Sequence, residues 1–138
     1  MKADALLRVS DLKKSFQTNA SLRIDILRKI SFELEAGETL AIVGASGIGK
    51  STLLHILGTL DRPDEGQLVF RDLDVFAMNA ERLAGFRNRS IGFVFQFHHL
   101  LPEFTAIENV MMPALINGYP RTDARRHAHD LLSRVGLA

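Results

Sequence analysis

The chain has 138 residues and a formal net charge of +1, with 46% hydrophobic and 24% charged residues, the composition of a globular domain or part of one. It contains no cysteine, which excludes disulfides and thiolate metal sites and fits a reducing compartment. With no apolar run near the roughly 18 residues of a membrane span and no signal-peptide pattern after Met1, we expect a soluble, cytoplasmic protein.

The first sixty residues predict strands that lead into a loop and a helix. Apolar residues recur at strand spacing over residues 24–34, and a turn follows near Gly37. Thr39–Val43 is a short apolar run, of the kind buried on both faces of a parallel sheet. The glycine-rich stretch from Gly44 to Gly49 interrupts it, and residues 51–60 continue with helical spacing.

The remaining residues also predict alternating strands and helices. They predict a strand at 67–70, a helix at 79–88 and a second buried strand at 91–95. Thr105 and Glu108 form a capping box for the next helix, and residues 122–135 form the last, with Gly136 as its stop. The pattern indicates an α/β fold, although two core strands are too few for a free-standing parallel sheet.

A phosphate-loop pattern runs from Gly44 to Ser51: glycine, four residues, then glycine, lysine and serine. Such glycines let backbone N–H groups converge on phosphate oxygens. Lys50 can then reach the β- and γ-phosphates, and the Ser51 hydroxyl can ligate Mg²⁺. A chance glycine-rich turn is the alternative, but the motif has the apolar strand before it and the helix after it that a real loop requires.

With these motifs the chain resembles the ABC ATPase family along essentially its full length. Val9–Phe16 is similar to the family's first strand, which implies that Phe16 stacks on adenine where tyrosine is usual; a core aromatic is the alternative. Thr52 matches a residue that also contacts phosphate in the family. Ile48 differs from the family at its own position, where a small residue is often found. The loop residues implied to bind ATP are Gly44, Ala45, Ser46, Gly47, Ile48, Gly49, Lys50, Ser51 and Thr52.

Gln96 ends a segment, Ile91–Gln96, that resembles the family's strand leading to the Q-loop glutamine. The resemblance implies that Gln96, with Lys50, is catalytic. Its amide would touch Mg²⁺ and the attacking water, and its loop would sense the membrane subunits. A polar residue that merely caps a strand is the alternative.

The stretch Phe97–Pro113 is most similar to the ATPases of bacterial lipoprotein-releasing systems. Related macrolide-export and cell-division ATPases share much of it and remain alternatives. A metal at His98 and His99 is disfavoured, because adjacent side chains diverge and no third ligand has suitable spacing. The arginines of residues 121–134 are interrupted by acids, which favours a solvated helix face over nucleic-acid binding.

Two parts of a complete ABC ATPase are not found in these residues: the Asp-Glu strand with its later histidine, and the Leu-Ser-Gly-Gly signature. We therefore expect the N-terminal part of one phosphate-loop ATPase domain, unable to hydrolyse ATP alone. Residues 1–38 and 61–76 would form mainly an antiparallel β subdomain, 39–60 and 77–96 the core, and 97–138 the Q-loop and the start of a helical subdomain.

In the complete protein, the resemblance implies two copies that sandwich two Mg·ATP. They would drive integral inner-membrane subunits from the cytoplasmic face of that membrane. A non-catalytic nucleotide-binding fragment is the alternative from another functional class.

Overall fold

The computed structural model describes residues 5–18 and 22–137. They form two compact units that divide between Ala84 and Gly85. In chain order the elements are β1 (Leu7–Thr18), β2 (Leu22–Leu34), α1 (Lys50–Leu57), β3 (Glu65–Phe70), β4 (Leu73–Asp74), α2 (Ala80–Ser90), α3 (Ala106–Ile116) and α4 (Arg121–Arg134). No helix in the described ranges combines the length and apolar character needed to cross a bilayer.

The first unit is built on an antiparallel sheet with strand order β2–β1–β3–β4. Val9 on β1 pairs with Phe32 on one side and Leu68 on the other, so β1 is an inner strand. The core combines side chains of the sheet with the apolar face of α1. Each large apolar side chain that is fully buried there stabilises the fold by about 1.5–3 kcal/mol. Its buried apolar side chains are Val9, Leu12, Leu27, Leu53, Ile56, Leu68, Val75 and Leu83.

A register shift in β1 brings its backbone unusually close to β3. The shift lies between Ser10 and Lys13, and Asp11 within it has a φ of 50°. Gly66 on β3 has a φ of +97°, and a Cβ there would lie 2.5 Å from the Asp11 carbonyl oxygen. Only glycine satisfies both the conformation and the spacing.

The second unit contains α3 and α4, which pack through small and flexible side chains. Met111 on α3 is buried against Ala124 and Ala128 on α4, because alanines allow the two helices to approach closely. The capping box predicted from the sequence is present: Thr105 accepts from the Glu108 N–H, and the Glu108 side chain accepts from the Thr105 N–H. Helix α3 therefore begins where the sequence predicts.

The structure corrects the prediction of two core strands. Residues 39–43 and 91–95 are not paired in the described part of the chain, and neither is buried. Val43 is 86% exposed and Val94 is fully exposed. A central parallel strand is held by hydrogen bonds to strands on both sides, and the described residues supply none of these neighbours.

The other differences are in the ends of elements. Helix α1 ends at Leu57 rather than at residue 60, because Thr59 has a φ of 60°, which a helix cannot accommodate. Strand β1 continues to Thr18, beyond Phe16. The structure also adds the short strand β4, which pairs with β3 as a hairpin.

Candidate functional site

The phosphate loop lies between residues 39–43 and α1, with Gly49 at the N-cap of that helix. Gly49 has a φ of +107°, and a Cβ there would lie 2.6 Å from the Cγ2 atom of Ile26 on β2. Glycine therefore lets the loop turn into α1 while it contacts the sheet. The sequence predicted a glycine here so that backbone N–H groups could converge on phosphates, and it did not predict the contact with Ile26.

Lys50 folds back into the loop. Its Nζ donates hydrogen bonds to the carbonyl oxygens of Gly44, at 2.9 Å, and Ala45, at 2.7 Å. No N-cap side chain accepts from the first turn of α1, so the first N–H groups of the helix face the loop without that competitor. An ammonium group and a helix N-terminus at one loop favour a polyanion.

A cavity of about 350 Å³ brings Phe16 together with the phosphate loop, and this volume is within the range of small-molecule sites. The Phe16 ring is 44% exposed, which contradicts its alternative reading as a core aromatic. Ile26 also borders the cavity. The loop residues that line it are Ser46, Gly47, Gly49, Lys50, Ser51 and Thr52.

Three loop residues of the predicted set are not among those lining the cavity: Gly44, Ala45 and Ile48. Gly44 and Ala45 act through the carbonyl oxygens that hold Lys50. Ile48 is 60% exposed, and its Cγ2 atom would lie 3.1 Å from a Cβ placed at Gly44.

The donor set fits a nucleoside triphosphate with Mg²⁺. An aromatic ring at one edge of the cavity suits a base, and the lysine and helix N-terminus suit phosphates. Ser51, which lines the cavity and is exposed, offers a hydroxyl oxygen, a ligand type that Mg²⁺ accepts.

Gln96 lies in the second unit and is exposed. The ring of Phe95 contacts that of His99 edge to face, with centroids 4.9 Å apart, so the chain bends back around Gln96. The Nδ1 atom of His98 accepts from the Leu100 N–H at 3.2 Å. Both histidines thus have structural contacts, and no group of metal ligands occurs among the described residues.

Asn109 was not singled out in the sequence, yet it holds the segment that precedes α3. Its Oδ1 accepts from the Leu101 N–H at 2.8 Å, and its Nδ2 donates to the carbonyls of Leu101, Phe104 and Thr105. An asparagine in the first helical turn, just after a Pro-containing loop, was the available signal.

Three charged residues beside Phe16 were also missed. Lys14 Nζ lies 5.4 Å from the Phe16 ring centroid and 2.8 Å from an Asp61 carboxylate oxygen. Asp64 accepts from both the N–H and the hydroxyl of Ser15. The hydroxyl hydrogen bond of Ser15, assisted by its N–H and nearby cations, lowers the pKa of Asp64. These partners are more than forty residues apart in sequence, so no local pattern reveals them.

Comparisons with known proteins agree on one family. Residues 27–138 match the family model described as ABC transporter. Similar proteins include the lipoprotein-releasing system ATP-binding protein LolD of Geobacter metallireducens, 59% identical over 97% of this chain and 59% of that protein. The LolD protein of Myxococcus xanthus is 56% identical over 96% of this chain and 59% of that protein. The chain thus spans about three fifths of the length of these relatives.

Solved structures show the same fold. The ATP-binding cassette MJ0796, in a dimeric post-hydrolysis state bound to ADP and Pi, has a TM-score of 0.83 and 31% identity, covering 92% of this chain and 56% of that chain. The cbiO1 protein of Clostridium perfringens, part of an ABC transporter complex, has a TM-score of 0.72 and 27% identity, covering 97% and 51%. These likenesses confirm the predicted α/β fold of part of a cassette. The chain therefore belongs to the ABC transporter family of ATP-binding proteins.

Proposed function

We propose that this chain is the ATP-binding part of an ATPase subunit that drives lipoprotein release from the inner membrane. The cavity shared by Phe16 and the phosphate loop carries the nucleotide-binding part of the proposal. The lipoprotein substrate is supported by the names of the LolD relatives. The same names favour this substrate over macrolide export and cell division.

Each predicted site residue then has a role. Phe16 stacks on the base, and backbone N–H groups of the loop from Gly44 to Thr52 hold the phosphates. Lys50 exchanges its two carbonyl partners for β- and γ-phosphate oxygens. Ser51 and Gln96 would hold Mg²⁺, which supplies charge neutralisation at the phosphates when it is bound. Gln96 would also orient the attacking water.

Hydrolysis also requires an acidic residue near the metal and the attacking water. Within residues 1–138 no apolar strand ends in Asp-Glu. We assign that residue, and the signature that closes the site, to protein outside these residues and to a second copy of the subunit. Integral membrane subunits are the other partners, which places the ATPase peripherally on the cytoplasmic face.

The division of the chain within this subunit is part of the proposal. Residues 1–38 and 61–76 form the β subdomain, and 39–60 and 77–96 belong to the phosphate-loop core. Residues 97–138 contain the Q-loop and begin the helical subdomain. The antiparallel pairing of β1 with β2 and β3 supports the first of these assignments.

Titration of the full-length protein with Mg·ATP by calorimetry tests nucleotide binding. Lys50→Ala removes charge-assisted hydrogen bonds, so affinity should fall about 10- to 100-fold. Lys13→Ala is the matched control, because Lys13 pairs with Glu65 on an exposed surface and does not line the Phe16 cavity. Equal affinity in the Lys50 variant and the wild type would show that the loop is not the site.

A further inference from the structure

Helix α1 connects the phosphate loop to a second loop, Asp61–Asp64, which contacts the strand that carries Phe16. The helix has eight residues, about 12 Å of length. Gly49 lies at its first end, and at its other end the Asp61 N–H donates to the His55 carbonyl at 3.3 Å. Groups attached to this second loop are therefore fixed relative to the phosphate loop.

Lys14 and Asp61 form the first link from this loop to β1. The Lys14 side chain is only 12% exposed, and its Nζ lies 2.8 Å from Asp61 Oδ1 and 2.6 Å from the Arg62 carbonyl oxygen. The same ammonium group lies against the Phe16 ring. Lys14 and Phe16 are two residues apart, so they share a face of the strand.

Asp64 and Ser15 form the second link. The Asp64 N–H donates to the Lys13 carbonyl at 2.8 Å. Its Oδ2 accepts from the Ser15 N–H at 2.9 Å and from the Ser15 hydroxyl at 2.5 Å. Asp64 thus binds the backbone of β1 immediately before Phe16.

The loop is itself held in place by Arg62. Its guanidinium donates to the carbonyl oxygens of Phe76, at 2.9 Å, and Met78, at 3.1 Å. The two links therefore start from a loop tied at both sides, to α1 and to residues 76–78. Such a loop can hold a strand in position instead of moving with it.

We propose that Lys14, Asp61 and Asp64 are positioning residues for the nucleotide base: they fix the Phe16 ring at one distance from the phosphate loop. This inference rests on the proposed function, since it assumes a nucleotide with its base on Phe16 and its phosphates at the loop. Stacking and phosphate contacts can form together only at one ring-to-loop spacing, so loosening the links should weaken recognition of the base and spare the phosphates.

Calorimetry of the full-length protein with two ligands separates these effects, because tripolyphosphate has phosphates but no base. Lys14→Met and Asp64→Ala should each weaken Mg·ATP binding about tenfold, the order expected when stacking on an aromatic ring is lost. Binding of Mg·tripolyphosphate should stay within twofold. Glu65→Ala is the matched control, because this neighbour pairs with Lys13 on the exposed surface, and it should change neither affinity.

A double variant distinguishes positioning from a general structural role. If Asp64 acts through Phe16, then Asp64→Ala should have no further effect on ATP affinity once Phe16→Ala is present. A merely destabilising change would instead lower binding of both ligands in both backgrounds. Should Asp64→Ala fail to fold, Lys14→Met is measured in the same cycle.

The outcomes separate this inference from the proposed function. An unchanged ATP-to-tripolyphosphate affinity ratio in Lys14→Met and Asp64→Ala, with both ligands weakened in Lys50→Ala, overturns the positioning role alone. Unchanged binding of both ligands in Lys50→Ala overturns the nucleotide site itself, and the positioning role with it.

Discussion

Single residues of the phosphate loop combine a backbone requirement with a packing requirement. Gly47 and Gly49 both have positive φ values, +79° and +107°. A Cβ at Gly47 would meet no atom within 4 Å, whereas one at Gly49 would meet Ile26 at 2.6 Å. The two glycines should therefore differ in their response to the same substitution.

We expect Gly49→Ala to destabilise the protein by about 1–3 kcal/mol from backbone strain, with an added penalty from the contact with Ile26. Gly47→Ala should show the strain alone. Urea unfolding of both variants measures the difference. In the Ile26→Ala background the excess cost at Gly49 should shrink, and an undiminished excess would mean that Ile26 is not the obstacle.

The predictability of the site also varies from residue to residue. The loop from Gly44 to Thr52 could be predicted because its chemistry requires residue types at fixed spacing within nine positions. Lys14 and Asp64 could not be predicted as site residues, because in the sequence each is an ordinary charged residue. Only the fold brings them beside Phe16. The backbone partners of Lys50 were likewise invisible, since a carbonyl oxygen is present at every residue.

At the scale of helices and strands, the sequence predicted the elements that local interactions stabilise. Helix α3 begins where its capping box predicts, since Thr105 and Glu108 satisfy each other's backbone groups. The apolar runs at 39–43 and 91–95 predicted strands that the described chain does not form, because pairing depends on neighbours and not on composition. Helix formation needs no such partner.

The capping box of α3 should make its stability depend on pH. Hydrogen bonds from the Thr105 N–H and hydroxyl lower the pKa of Glu108, and Arg121 and Arg125 add to this. A lowered pKa in the folded state means that the carboxylate stabilises the fold at neutral pH and that this contribution is lost as the pH falls through the folded pKa. Thermal midpoints of Glu108→Gln should therefore lie below those of wild type at pH 7.

In acid below the folded pKa of Glu108, wild type and Glu108→Gln should unfold at similar temperatures. Glu103→Gln, a change at an exposed carboxylate in the preceding turn, is the control and should track wild type throughout. If the thermal midpoint of Glu108→Gln stayed below that of wild type in acid, the amide would destabilise the fold through its shape and not through the lost charge.

At the scale of the whole molecule, the main feature is apolar side chains exposed on segments outside the helices and strands. Val43 and Val94 lie on segments that pair with no strand in the part of the chain that the structure describes. Exposed apolar segments without partners favour association between chains. In the proposed subunit, protein outside these residues would cover both segments.

We therefore expect residues 1–138, expressed alone, to associate and to release no phosphate from ATP. Val43→Thr with Val94→Thr should lower association measured by light scattering, because threonine keeps the shape and adds a hydroxyl. Val135→Thr is the matched control at a valine that is 70% exposed just beyond α4. A monodisperse wild-type monomer with a sharp unfolding transition would contradict this expectation.

The two carbonyl partners of Lys50 have a consequence for the thermodynamics of binding. A free lysine side chain loses about 1.5–2 kcal/mol of rotamer entropy when it is immobilised. Here the carbonyl oxygens of Gly44 and Ala45 hold the ammonium group within the loop. That entropy is lost on folding, so the exchange of the two carbonyl oxygens for phosphate oxygens costs Lys50 two hydrogen bonds but little further rotamer entropy.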